Sequence, residues 1–249
     1  MNDWIRVRVQ ATKGSAPRDT DAQMFVFEDV IEGTIGGGAL EWDAIHTARD
    51  MLLSGQTEAT RNVALGPDMG QCCGGRVTLD YARNVKDEPP LGTPLWIWGA
   101  GHVGRAIAHV MAPFNDREIT LIDTSVDRMP DNLAPNVAPL VAADPARVVA
   151  RAPERCDHII VTYSHDLDLA LCDALLRHGF ASCGIIGSAT KWARFRSRLA
   201  SMGHGGDEIT RIACPIGEPR LGKHPQAIAV GVAAALISSS AGATGKANR

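Results

Sequence analysis

The chain has 249 residues, 45% apolar and 21% charged, with a formal net charge of −3. That length suits one large domain or two small ones with room for a core, and the composition is that of an ordinary globular protein. Lys and Arg are not clustered, which argues against nucleic acid or an anionic membrane as partner.

Residues 1–8 alternate polar and apolar side chains and lack the apolar run of a signal peptide. The most apolar stretch, residues 228–237, is too short to span a bilayer. The expectation is a cytoplasmic protein, no membrane partner, and six cysteines kept as thiols. Cys156, Cys172, Cys183 and Cys214 stand singly among apolar neighbours and read as core filler.

In chain order, residues 3–12 set Trp4, Arg6 and Arg8 against Ile5, Val7 and Val9, which predicts a half-buried strand. Residues 13–18, with Gly-Ser and Ala-Pro, are turn chemistry ending at Arg18. Strands are predicted at 23–27 and 30–35. The cluster Gly36-Gly37-Gly38 then opens a helix over about 39–53 that begins close to Glu41. A strand over 58–65 leads into Gly66 and on to Gln71-Cys72-Cys73-Gly74-Gly75, followed by a strand over 76–82. Paired thiols between glycines read as a ligand-presenting loop, because glycine tolerates unusual φ and lets a ligand approach the backbone. Adjacent cysteines lack the C-x₂-C spacing of structural zinc. A nucleophilic cysteine would need a His base that the sequence does not locate. Residues 85–94, polar and proline-bearing, predict a linker between domains at 1–84 and 95–249.

Beyond the linker, strands predicted at 95–98, 119–122, 138–142, 158–163 and 182–186 alternate with helices starting at 103, 145, 167, 191 and 226. That rhythm predicts βαβ units with right-handed crossovers. The fold expected is α/β: a small mixed strand-rich N-terminal domain, then a Rossmann-like doubly wound parallel-sheet domain. Gly99, Gly101 and Gly104, with His102 between them, form a G-x-G-x-x-G turn between strand and helix, and Asp123 ends the next strand. Such a turn seats a pyrophosphate on the helix N-terminus and gives the acid a ribose hydroxyl. The competing reading is a scaffold that binds no nicotinamide, with Asp123 as a strand-end turn residue.

Two further loops follow strands at the sheet's carboxyl edge, where open α/β proteins bind ligands. One carries His165 and Asp166, suited to orienting a substrate or metal; alternatively Asp166 caps a helix starting at Leu167. The other carries Ser188 and Lys191, a candidate anion site without P-loop spacing.

The ordered series of motifs, from Lys13-Gly14-Ser15-Ala16-Pro17-Arg18 and Gly36-Gly37-Gly38-Ala39-Leu40-Glu41 through Gln71-Cys72-Cys73-Gly74-Gly75, Trp98-Gly99-Ala100-Gly101-His102-Val103-Gly104, Ser164-His165-Asp166, Gly187-Ser188-Ala189-Thr190-Lys191 and Cys214-Pro215-Ile216-Gly217, resembles the XdhC family. Its members are accessory factors for xanthine dehydrogenase maturation. The resemblance covers nearly the whole chain. It implies a non-catalytic chaperone that binds molybdenum cofactor (molybdopterin), protects its sulfurated form and helps insert it into xanthine dehydrogenase, a cysteine desulfurase supplying the sulfur. The family's cofactor-binding cysteine falls on Cys72 or Cys73, and the glycine-rich loops, with exposed N–H groups, suit the cofactor's anionic parts. The alternatives are an NAD(P)- or nucleotide-dependent oxidoreductase using Gly99, Gly101, Gly104 and Asp123, and a regulator whose thiols sense redox state. A homodimer is the default oligomer. One departure stands out: Asp21 occupies a position where a glycine is expected, so the first loop is expected to bend differently.

Overall fold

The structure is a computed structural model that describes residues 3–66, 74–85 and 92–244, with side chains described to residue 239. The chain divides into two compact units, Met1–Pro89 and Pro90–Arg249.

In the N-terminal unit the alternating segments pair into an antiparallel sheet of β1 (Ile5–Lys13), β2 (Gln23–Val26), β3 (Ile31–Gly33), β4 (Glu58–Ala64) and β5 (Arg76–Arg83), in the order β3-β2-β1-β5-β4. One face is covered by α1 (Gly38–Ser54), which buries Leu40, Ala44, Ile45, Ala48 and Met51 at helical spacing. They pack on Ile5, Val7, Met24, Leu79 and Tyr81, the odd-or-even set that a period of two turns inward. Gly55, left-handed at φ 78°, stops the helix.

Asp21 takes a φ of 70°, the conformation a glycine would supply. Aspartate is one of the few side chains that tolerates it. Its N–H donates to the Val9 carbonyl, and the Val9 N–H donates to Ala22, each at 2.9 Å. The expected change of bend is therefore absorbed within a left-handed turn.

The C-terminal unit is a fully parallel sheet. Its strands are β6 (Leu95–Trp98), β7 (Ile119–Asp123), β8 (Val137–Val141), β9 (Asp157–Ile160), β10 (Ser182–Ile185) and β11 (Ile212–Ala213). Its helices are α2 (His102–Met111), α3 (Pro145–Val148), α4 (His165–His178), α5 (Ala189–Ser201), α6 (Gly206–Thr210) and α7 (Pro225–Thr244). The order β8-β7-β6-β9-β10-β11 is the 3-2-1-4-5-6 arrangement of the doubly wound dinucleotide-binding fold. Both faces are covered. Trp96, Trp98, Ile160, Leu175 and Phe195 form one core, and Leu95, Ile97, Ile107, Leu121 and Val232 the other. That explains why β6 reads as the unbroken apolar run Leu-Trp-Ile-Trp instead of an alternating one. The α/β expectation holds. The sequence reading missed α6 and the two-residue β11, and it ran β9 three residues too far.

Two buried polar groups mark this unit. Arg117, 2% exposed, pairs with Asp157 at 3.2 Å, and Asp157 also accepts from the Ser182 hydroxyl. His158 is fully buried and accepts from the Trp98 indole at 3.2 Å through Nδ1, so its proton sits on Nε2, which has no hydrogen-bond partner among the described residues. Burial, helped by nearby His178, pushes its pKa down to about 3. Among the described residues no helix is long and apolar enough to cross a membrane.

Candidate functional site

Because the N-terminal sheet is antiparallel, the loops after β1, β3 and β4 all leave from the same end. Residues 14–22, 34–37, 65–66 and 74–75 therefore gather at one edge. Ser15 bridges Gly74, and the Leu65 N–H donates to the Gly75 carbonyl at 2.8 Å. A Cβ on Gly75 would lie 2.1 Å from the Ser15 carbonyl oxygen, so only glycine permits this crossing. Gly36, at φ 126°, is pressed on the Pro17 ring, and the Arg18 side chain runs over it. Arg18 is exposed and has no hydrogen-bond partner among the described residues. Lys13, Gly14, Leu65, Gly66, Gly74 and Arg76 line an open cleft at the same end. Gln71, Cys72 and Cys73 lie outside the described residues; Gly74 and Gly75 place the foot of their loop.

The glycine turn at 36–38 differs from expectation in one respect. Glu41, in the first turn of α1, accepts hydrogen bonds from the Ile35 N–H at 3.0 Å, the Gly37 N–H at 3.1 Å and the Thr34 hydroxyl. Burial works against its charge, but the bonds from Thr34 and the Gly37, Ile35 and Gly36 backbone outweigh it and hold the carboxyl below its ordinary range. The Gly36 N–H turns to the Thr34 hydroxyl oxygen. This turn offers a ligand shape, while its Gly36 and Gly37 N–H groups already serve Thr34 and Glu41.

At the carboxyl edge of the C-terminal sheet, Gly99 and Gly104 are required by packing. A Cβ on Gly104 would lie 1.8 Å from the Gly99 carbonyl oxygen. Gly101 is different: its φ of −70° suits any residue, and a side chain there would meet nothing within 4 Å. His102 is the exposed first residue of α2. Asp123 is 5% exposed and fully engaged. Its carboxylate accepts from the Ala100 N–H at 2.7 Å, the Thr124 N–H at 2.7 Å and the Thr124 hydroxyl at 3.2 Å, and pairs with Arg128 at 3.2 Å. Arg128 also stacks on the Tyr163 ring, 4.2 Å from its centroid. Asp123 thus clamps the glycine loop to the strand end.

The other two loops are likewise self-contained. α4 starts at His165, and the residue capping it is Ser164, whose hydroxyl accepts from the Leu167 N–H at 3.4 Å. The reading of Asp166 as the cap is corrected: it sits in the first turn, 3.5 Å from Arg198, with a side chain 90% exposed. His165 lies edge-on to Phe195. Ser188 caps α5 by accepting from the Lys191 N–H at 3.2 Å. The Lys191 ammonium is 2.6 Å from Asp168, which is 1% exposed, and donates to the Ile186 carbonyl at 2.9 Å. Thr162 completes that group by donating to Asp168 at 2.6 Å.

Burial pushes the thiols of Cys156 and Cys172 up to about 12, raises Cys183 well beyond its ordinary value and raises Cys214, which disfavours the reactive thiolate at all four. Among the described residues no His, Cys, Asp or Glu cluster could hold a metal. Sequence reasoning did not single out Thr34, Thr162, Arg128, Tyr163, Lys13 or Arg76 as site residues. The two cations opposite each other at the ends of β1 and β5 were readable only once the strand register was known.

Residues 95–236, more than half of the chain, match the family model described as the XdhC Rossmann domain, and residues 2–63 match the model of the XdhC and CoxI family. An uncharacterized protein of Escherichia coli, YqeB, is 28% identical over 243 residues. That match takes in 94% of this chain but 43% of YqeB, so the chain spans less than half of that relative's length. A Bacillus halodurans crystal structure described as a xanthine dehydrogenase superposes with a TM-score of 0.76 at 17% identity, over 95% of this chain and 91% of that one. At that identity the likeness speaks for the fold.

Proposed function

The chain belongs to the XdhC family, and we propose that it is an accessory protein that binds molybdenum cofactor on its N-terminal unit and hands it to a xanthine-dehydrogenase-type enzyme. The observation that carries this reading is the gathering of three loops around the foot of the segment bearing Cys72 and Cys73. The residues present fit the group. A side chain at Gly66 or Gly74 would meet no described atom within 4 Å, so their bareness leaves clearance in the cleft. Arg18 offers an uncommitted cation at the same end.

In this reading a thiolate of Cys72 or Cys73 holds the cofactor's soft centre or its transferable sulfur. The glycine turns would shape the cleft around the pterin, and when bound the cofactor would supply molybdenum redox chemistry to the recipient enzyme. A cysteine desulfurase as sulfur donor and a homodimer as the working state belong to the same proposal. The test is cofactor retained on protein purified from a cofactor-producing host, quantified by mass spectrometry for wild type, Cys72→Ala, Cys73→Ala and the double variant. Loss of retention in one single variant and in the double is expected; unchanged retention in all three would sink the cysteine role.

A second reading, a nucleotide held in the C-terminal unit, draws on Gly101. Neither its backbone angle nor its surroundings require glycine, whereas a pyrophosphate on the α2 N-terminus would. Titration with NAD(H), NADP(H) and AMP tests it, and Gly101→Val should abolish any binding seen.

A further inference from the structure

Lys13 ends β1 and Arg76 begins β5, and the register sets them directly opposite each other. Directly opposed like charges destabilise a strand pair, and opposed unlike charges stabilise it. Among the described residues no carboxylate compensates them. Both residues are exposed, and neither has a hydrogen bond or ion pair with any described residue. Asp80, further along β5 on the same face, is engaged by Arg6 at 2.6 Å and Arg8 at 3.7 Å. Across the other edge of β5, Arg76 faces the small Ala64, and the β1–β2 ladder ends at Arg8. They stand with Gly14, Gly66 and Gly74 around the open cleft. Arg76 follows Cys73 by three residues.

We propose that Lys13 and Arg76 form the phosphate site of the N-terminal unit and hold the phosphate monoester of the bound pterin. The inference rests on the reading that this unit binds molybdenum cofactor. A phosphate monoester carries most of two negative charges near neutral pH. Arginine meets it with a planar fork of donors and lysine with a compact point charge. Binding also relieves the repulsion between the two side chains. The apo protein carries that repulsion so that the loaded one does not.

The test uses the full chain and three probes: the fluorescent pterin phosphate obtained by oxidising molybdenum cofactor, the same pterin after phosphatase treatment, and inorganic phosphate as competitor. Wild type should bind the phosphorylated pterin at least tenfold tighter than the dephosphorylated one. Lys13→Glu and Arg76→Gln should erase that difference, and Lys223→Glu, an equal change of charge on the other unit, should not. Lys13→Glu should leave the melting temperature unchanged or raise it, because it turns a like-charged pair into an ion pair. Binding and stability then move apart, which a merely structural role would not produce. Lys13→Gln serves if the glutamate variant folds poorly. Equal affinity of wild type for the two pterins, or variants that keep the preference, would overturn the proposal. Inorganic phosphate binding lost in Lys13→Glu, with no pterin bound by wild type, would uphold the anion site and overturn the cofactor reading instead.

Discussion

The two units of this chain treat their polar groups in opposite ways. At the carboxyl edge of the parallel sheet the candidate ligand-binding side chains are largely spoken for: Asp123 by Arg128 and the backbone of Ala100 and Thr124, Lys191 by Asp168, Ser188 by the start of α5. At the loop end of the antiparallel sheet, Lys13, Arg18 and Arg76 have no partner among the described residues. A buried charge must be compensated by its own protein or it costs several kcal/mol. An exposed cation is under no such demand, and can be kept for a ligand. The difference supports the proposal that the N-terminal unit holds its ligand around the foot of the cysteine-bearing segment, where exposed cations have no described partner.

That comparison can be broken most forcefully at Lys191. Lys191→Met leaves the carboxylate of Asp168 buried without its cation and should cost about 3–5 kcal/mol of stability in a urea titration. Arg18→Gln, on the other unit, should change stability by less than about 0.5 kcal/mol. Similar losses for the two would show that the contrast is wrong.

A pH titration sharpens the same point. His158 is neutral in the fold and has its pKa pushed down to about 3, while in the unfolded chain it titrates near 6.5. The unfolded state therefore binds more protons between those values, and stability falls as pH drops from 6.5 toward 3, by up to about 1.4 kcal/mol per unit from this group alone. Above pH 6.5 the group has no effect on the slope. His158→Phe should flatten the slope in that window; an unaltered slope would place the acid sensitivity elsewhere.

Within the glycine fingerprint, Gly104→Ala should destabilise the C-terminal unit by about 1–3 kcal/mol because its methyl collides with the Gly99 carbonyl. Gly101→Ala, which meets open space, should cost far less in the same thermal melt. A smaller loss than at Lys191 or Gly104 is expected at Glu41. Its lowered pKa means that its contribution is present above its ordinary value of 4.5 and is lost as pH falls through the folded value. Glu41→Gln should remove about 1 kcal/mol at neutral pH and progressively less as the pH is lowered below 4.5, measured by denaturant titration.

Much of the fold was legible before any coordinates. A period of two in β1 and the glycine-bounded apolar run of β6 are local signals, because burial on one face or two is written directly into neighbouring residues. The short β11 and α6 were not legible, since a two-residue strand and a five-residue helix are too brief to show a period. Likewise the sequence pointed to Asp166 as a cap, and only the backbone path into α4 gave that place to Ser164.

By itself the sequence determined the α/β class, the succession of the longer strands and helices in each half, the glycine turns and the family, for these depend on residues close together in the chain or on motifs in order. The tertiary structure alone decided which charges are free. Asp168 meets Lys191 across 23 positions, and Asp123 reaches back to Ala100 across the same number. Lys13 faces Arg76 only because strands distant in the chain pair in one register. Compensation of charge is a matter of distances of a few ångströms in space, and spacing along the chain carries no record of it.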